Sequence, residues 1–102
     1  MIRRLARFED AFVSIFASIH SVNASAGERF ADEVEATLDR LEGAPGMGSR
    51  ARFDSAYLTD IRFMTIRGYR NYLLFYRPIR GGVEAVDLLH GAQDIEAFFD
   101  ST

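Results

Sequence analysis

The sequence predicts an α+β fold in which an N-terminal antiparallel helical hairpin packs on a small antiparallel β-sheet, followed by a short C-terminal helix. Three observations predict it. Apolar residues in the first 41 positions recur at three-and-four spacing, the period shortens from Arg50 onward as aromatic and branched residues take over, and glycine-bearing turns divide this second half into short runs. With 102 residues, 48% hydrophobic and 26% charged, the chain suits one domain over residues 1–102 with a single core.

The elements follow in order. The opening IRRL, residues 2–5, is compatible with an edge strand, although no good N-cap residue separates it from what comes next. Phe12, Ile15, Phe16 and Ile19 then form one stripe, with Glu9, Asp10, Ser14 and Ser18 on the other side, which predicts a helix over residues 8–22. After SVNAS the pattern resumes at Phe30, Val34, Leu38 and Leu41. Ser25 with Glu28 three residues on is a capping box in sequence, and Gly43 and Pro45 end this second helix. The connection is short, so the two helices fold back on each other.

The segment GAPGMGS, residues 43–49, has three glycines but follows a helix and lacks a Lys-Ser/Thr sequel, so it is not a phosphate cradle. Three strands are expected over residues 60–66, 71–79 and 83–89, separated by the turn sequences RGYR and RGG. Along the middle one, Tyr72, Leu74 and Tyr76 face one way and Leu73 and Phe75 the other. Both faces are apolar, as in a central strand, and Pro78 marks where pairing ends. His90 and Gly91 then punctuate the passage to DIEAFFD, the expected final helix.

Several function classes are excluded or disfavoured by composition. Cysteine is absent, which removes disulfides, thiolate zinc sites and a cysteine nucleophile. The longest apolar run, YLLFY, is far below the roughly 20 residues of a membrane helix. Arg3 and Arg4 are not followed by a signal-type apolar region, so a soluble cytoplasmic protein without membrane contact is expected. Two histidines, His20 and His90, are a poor metal-ligand set, and no metal or cofactor is expected. His20 suits the C-terminal end of the first helix. Histidine is the side chain type most suited to acid or base work, so His90 is the candidate to weigh. It nevertheless lacks a nucleophile or second histidine in motif spacing, and Asp94, four residues on, either bonds its ring or caps the last helix. A structural role for His90 is preferred.

The net charge of −3 conceals a segregation. All 12 basic residues are arginines; residues 1–49 hold 5 of them against 8 acids, residues 50–80 hold 7 against 2, and residues 81–102 hold none against 5. The middle third is a basic island, suited either to planar anions such as phosphate or an acidic protein, or to pairing with the acids of the helices.

These residues carry a resemblance. NYLLFYRPIRGGVEAVDLLHGAQDIEAFF resembles the C-terminal half of the RelE/ParE family of bacterial type II toxins, in which a tyrosine-rich strand ends in Phe-Tyr-Arg-Pro and a later strand in Leu-His-Gly-Ala before Asp-Ile. The Phe12, Ile15, Ile19 spacing and TLDRLEGAPGMGS extend it over nearly the whole chain. The resemblance implies a small toxin, of the kind associated with plasmid stabilisation, neutralised by a cognate antitoxin.

The family implies two mechanisms. RelE-like members cleave messenger RNA on the ribosome with a strand arginine, further bases and a late tyrosine; the matching positions here are Leu73 and Ala92, and no tyrosine follows Tyr76. A nuclease would have to use displaced groups such as Arg70, Arg77 and His90. ParE-like members bind and inhibit DNA gyrase without catalysis of their own, and this branch is the nearer one. Its target-binding candidates are Arg62, Arg67, Arg70, Arg77 and Arg80. Asp87 departs from the pattern, standing where the last strand commonly carries a base, so a basic C-terminal face is doubtful. Direct nucleic-acid contact stays open. For an antitoxin, which could fill a groove and extend the sheet, the candidate contacts are Val13, Phe16, Phe98 and Phe99. A third reading is a scaffold that binds antitoxin but has lost toxicity.

Overall fold

A computed structural model of the chain describes residues 1–51 and 60–91. Among these, β1 (Ile2–Arg4) leads into α1 (Ala6–Val22) and α2 (Ala24–Gly43), and then come β2 (Ser49–Arg50), β3 (Arg62–Ile66), β4 (Tyr69–Ile79) and β5 (Gly82–His90). The strands form one sheet in the order β1-β5-β4-β3-β2. The three expected strands make the antiparallel meander β3-β4-β5, with β4 central. The sheet is nevertheless mixed, because β1 pairs in parallel with β5, Ile2 opposite Val83. The edge strand compatible with residues 2–5 is therefore present. The expected C-terminal helix, with Ala92, Asp94, Phe98 and Phe99, lies outside the described residues.

Two sequence expectations need correction. Helix α2 begins earlier than a Ser25 cap implies, because the Asn23 side chain caps it by accepting the Ala26 N–H at 3.0 Å. An extended backbone at Asn23 both ends α1 and starts α2, so the hairpin turns on this single residue. Pro78 does not end strand pairing, since β4 runs on to Ile79 opposite Gly82. Val83, opposite Pro78, gives its N–H to the carbonyl of Met1, just before β1, so the β4–β5 ladder never calls for an N–H at residue 78. On its other side β4 has its last β3 partner at Tyr76, which makes proline harmless there.

The hairpin covers one face of the sheet. Phe8 and Phe12 of α1 and Phe30, Val34, Leu38 and Leu41 of α2 pack on Ile66, Leu74, Tyr76, Val83, Ala85 and Leu88. The opposite face carries a second buried cluster of Ala51, Ile61, Phe75, Val86 and Leu89. The alternation expected along β4 is thus observed, with Leu74 and Tyr76 toward the helices and Phe75 away. Strand β5 does not alternate cleanly, because Tyr76 pairs with Ala85 but Phe75 with Asp87, leaving Val86 as a bulge residue. This extra residue keeps Leu88 on the helical face and puts Asp87 beside Phe75 on the other. Two-residue turns close both hairpins, each through a glycine at positive φ, Gly68 at 81° and Gly81 at 82°.

Tyr76 and Arg62 tie the 43–49 loop to the sheet. The buried Tyr76 hydroxyl accepts the Gly48 N–H at 2.8 Å and donates to the Pro45 carbonyl at 2.7 Å, and burial pushes its pKa up. Arg62 donates to the carbonyls of Gly46 and Gly48. The glycine-rich segment therefore turns its carbonyls to a guanidinium, while Gly48 spends its N–H on a phenol.

Candidate functional site

The five arginines proposed to bind a target do not form one surface. Arg62 holds the 43–49 loop, and Arg77 lies in a charged row across the second sheet face, where Glu84 is 3.5 Å from Arg3 and 3.4 Å from Arg77, and Asp60 is 3.9 Å from Arg77. Arg67 in the β3–β4 turn and Arg70 at the start of β4 are exposed. Arg80 is in the β4–β5 turn, at the other end of an 11-residue strand, roughly 30 Å away at about 3.3 Å per residue. The sequence left Arg29 out, yet it joins Arg67 around an open concavity of about 590 Å³, lined also by Ala26, Asp32, Glu33 and Tyr69. Tyr69 fastens this end to the helices by donating to the Ala26 carbonyl at 3.1 Å. Arg29, Arg67 and Arg70 make no ion pair among the described residues.

The displaced nuclease candidates divide between the two ends of β4. His90 pairs with Tyr72, its ring edge-to-face at 5.3 Å, and Arg70 is on the same end of the sheet. Arg77 is five residues further along, opposite Glu84, about 16 Å from the His90 end by strand rise. Leu73, the position matching the family's strand arginine, packs half-buried against the second apolar cluster. His20 is in the last turn of α1, its ring 5.2 Å from that of Phe16.

Asp87 has a packing explanation. It is 2% exposed, and its carboxylate accepts the Leu88 N–H at 2.8 Å and the Arg7 guanidinium at 3.0 Å. Burial raises its pKa, outweighing the Leu88 N–H and the Arg7 charge, which act in the opposite direction. A buried acid on a strand requires such a partner, and α1 supplies it from its first turn.

A second concavity, of about 280 Å³, opens on the outer side of the hairpin between α1 and α2. Phe12, Val13, Phe16 and Ala31 line it, with Arg4 and Glu9 at one end. Val13 is 64% exposed and Phe16 half-buried, so two of the antitoxin-contact candidates share one groove. Phe98 and Phe99 lie outside the described residues. Arg4 anchors the groove: it reaches from β1 to Glu9 of α1 and to both carboxylate oxygens of Glu35 on α2, at 2.8 and 3.1 Å. Its guanidinium also sits 5.3 Å from the Phe8 ring and 5.7 Å from that of Phe12. Strand alternation was the signal for it, since Arg4 shares a face with Ile2 and so turns toward the helices.

Residues 2–95 match the family described as the ParE toxin of type II toxin-antitoxin systems, parDE. The chain belongs to the ParE toxin family. The comparison with curated proteins returns no match. The family frame covers every element described above, from β1 through β5, and so includes both concavities of this ParE toxin chain. No helix among the described residues is long and apolar enough to cross a membrane, and no group of three or more His, Cys, Asp or Glu among them is placed to hold a metal ion.

Proposed function

We propose that this ParE-family chain is the toxin of a toxin-antitoxin pair, that it acts by binding and inhibiting DNA gyrase, and that a cognate antitoxin neutralises it by occupying the α1–α2 groove. The observation that carries this reading is the family match over residues 2–95. Two features of the chain support binding over catalysis. The positions where the family's nucleases keep a strand arginine and a late tyrosine hold Leu73 and no tyrosine, and Arg70, Arg77 and His90 do not converge. The target surface in this reading is the end that carries Arg67 and Arg70, with Arg29 across the concavity that Asp32 and Glu33 also line, where guanidiniums outside any ion pair among the described residues can meet an anionic partner. Arg80 lies too far away to share that contact.

Expression in a permissive bacterial host without antitoxin tests the reading. Growth arrest with a DNA-damage response is the expected outcome, and co-expression of the antitoxin should relieve it. A translation block with cleaved transcripts would favour a ribosome-dependent nuclease, and undisturbed growth a scaffold without toxicity.

A further inference from the structure

The β3–β4 hairpin separates charge more sharply than the chain as a whole. Between Asp60 and Glu84 the sequence holds five arginines and no acid, while the remainder holds 7 arginines against 15 acids. Of these five, Arg62 and Arg77 are engaged by the carbonyls of the 43–49 loop and by Glu84, and Arg80 stands at the far end of β4. Arg67 and Arg70 remain together, three positions apart across a turn closed by the Ile66–Tyr69 pair. Both are exposed and outside any ion pair among the described residues. Gly68, in the turn, has a positive φ and open space where a side chain would project, so another molecule can approach the turn backbone closely. Arg29 of α2 adds a third exposed guanidinium across the concavity, on the side that Asp32 and Glu33 also line.

We propose that this end binds the phosphodiester backbone of duplex DNA through Arg67 and Arg70, with Arg29 at the margin, and does so without reading base sequence. The proposal rests on the gyrase reading for where that DNA is met, beside the enzyme that holds it, and adds which anion the arginines take. Two features favour phosphate over the carboxylates of an acidic protein. A protein interface closes over an apolar core, whereas nucleic-acid contacts are polar and basic. Apart from Ala26, the concavity offers only the half-buried Tyr69 ring as apolar lining, and the Tyr69 hydroxyl is committed to the Ala26 carbonyl. Guanidiniums on a glycine turn also suit phosphate, which takes bidentate N–H donors and a closely approaching backbone. Asp32 and Glu33 repel the same polyanion, so they confine its path to the sheet side and hold the phosphates neutralised to about two or three. Contacts of this kind position a duplex and carry no base information.

A fluorescein-labelled duplex of about 20 base pairs, titrated with the full chain in the absence of gyrase and followed by fluorescence anisotropy, provides the test. Binding is expected at about 20 mM salt with a Kd of about 0.1 mM or tighter, and log K should fall against log salt with a slope of about −2 to −3. Arg67→Ala with Arg70→Ala should reduce that slope by about 2 and weaken low-salt binding at least about tenfold, with the melting temperature unchanged. Asp32→Asn with Glu33→Gln should tighten binding about threefold or more. A second duplex of unrelated sequence should bind within about twofold, and a poly-glutamate peptide of matched charge at least about tenfold more weakly. No duplex binding at low salt, a slope unchanged by the double arginine variant, looser binding by the carboxylate variant, or a strong preference between duplexes would each overturn the proposal. Poly-glutamate bound as tightly as DNA would also overturn it, in favour of an acidic protein surface. The gyrase reading fails separately: a chain that binds the duplex through these arginines yet leaves gyrase unaffected keeps the DNA contact and loses the target. A chain that traps gyrase but binds no duplex does the reverse.

Discussion

Replacing Phe30 by alanine is expected to lower unfolding stability by about 3–5 kcal/mol, the largest loss of any single side chain in the hairpin. Phe30 is fully buried, and its ring meets Phe12 at 6.3 Å, Tyr69 at 5.1 Å and Tyr72 at 5.3 Å, each near edge-to-face. Truncation opens a cavity at the junction of α1, α2 and the start of β4, and removes three aromatic contacts worth about 0.5–1.5 kcal/mol each beyond their buried area. Small domains have about 5–15 kcal/mol in all, so this variant should keep only part of its folding margin. Urea denaturation of the variant and the parent measures the difference, seen as a lower midpoint at unchanged slope. Val13→Asp, on an exposed side chain, should stay within about 0.5 kcal/mol of the parent.

Arg7→Ala is expected to cost about 2–3 kcal/mol at neutral pH, less than the roughly 3–5 kcal/mol of a fully buried pair because Arg7 is 30% exposed. It leaves the Asp87 carboxylate buried beside Phe75 without its cation. The sign of the pH dependence follows from Asp87 having a folded pKa above its unfolded value through burial. The folded chain then binds a proton more tightly than the unfolded one, so this group's contribution falls as pH rises from the unfolded value through the folded one. Removal of Arg7 raises the folded value further and widens that window. The deficit of Arg7→Ala should therefore shrink as pH is lowered toward 4, and Arg7→Ala combined with Asp87→Asn should recover part of it at neutral pH. Melting curves from pH 4 to 8 on the three proteins check this, and a deficit independent of pH would assign the cost to lost packing of the Arg7 stem.

The helical hairpin and the meander were legible because each follows from local periodicity and turn chemistry. The stripe from Phe12 to Ile19 and the turns at Gly68 and Gly81 contain their own information. What escaped the sequence depends on residues distant along the chain. The parallel pairing of Ile2 with Val83 spans 81 residues, and nothing near Ile2 announces it. The Val86 bulge breaks the period of two, so Asp87 stands out in sequence as a missing base whereas in the fold it is the partner of Arg7. The start of α2 was misplaced because Ser25 and Glu28 satisfy a capping box, yet Asn23 comes first and already caps the Ala26 N–H. For the candidate surfaces, charge counting found the basic island but not its division. Arg62 and Arg77 are taken up by a loop and by Glu84, and Arg29 joins Arg67 only because the start of α2 is fastened to the β3–β4 hairpin by Tyr69.

The central claim is that this chain acts on gyrase by binding, and purified gyrase with supercoiled DNA tests it most directly. The parent protein should make gyrase accumulate cleaved linear DNA, and Arg67→Ala with Arg70→Ala should raise the concentration needed by about tenfold or more, equivalent to about 1.4 kcal/mol. Gyrase left unaffected, together with cleavage of ribosome-bound messenger RNA by the same preparation, would contradict it.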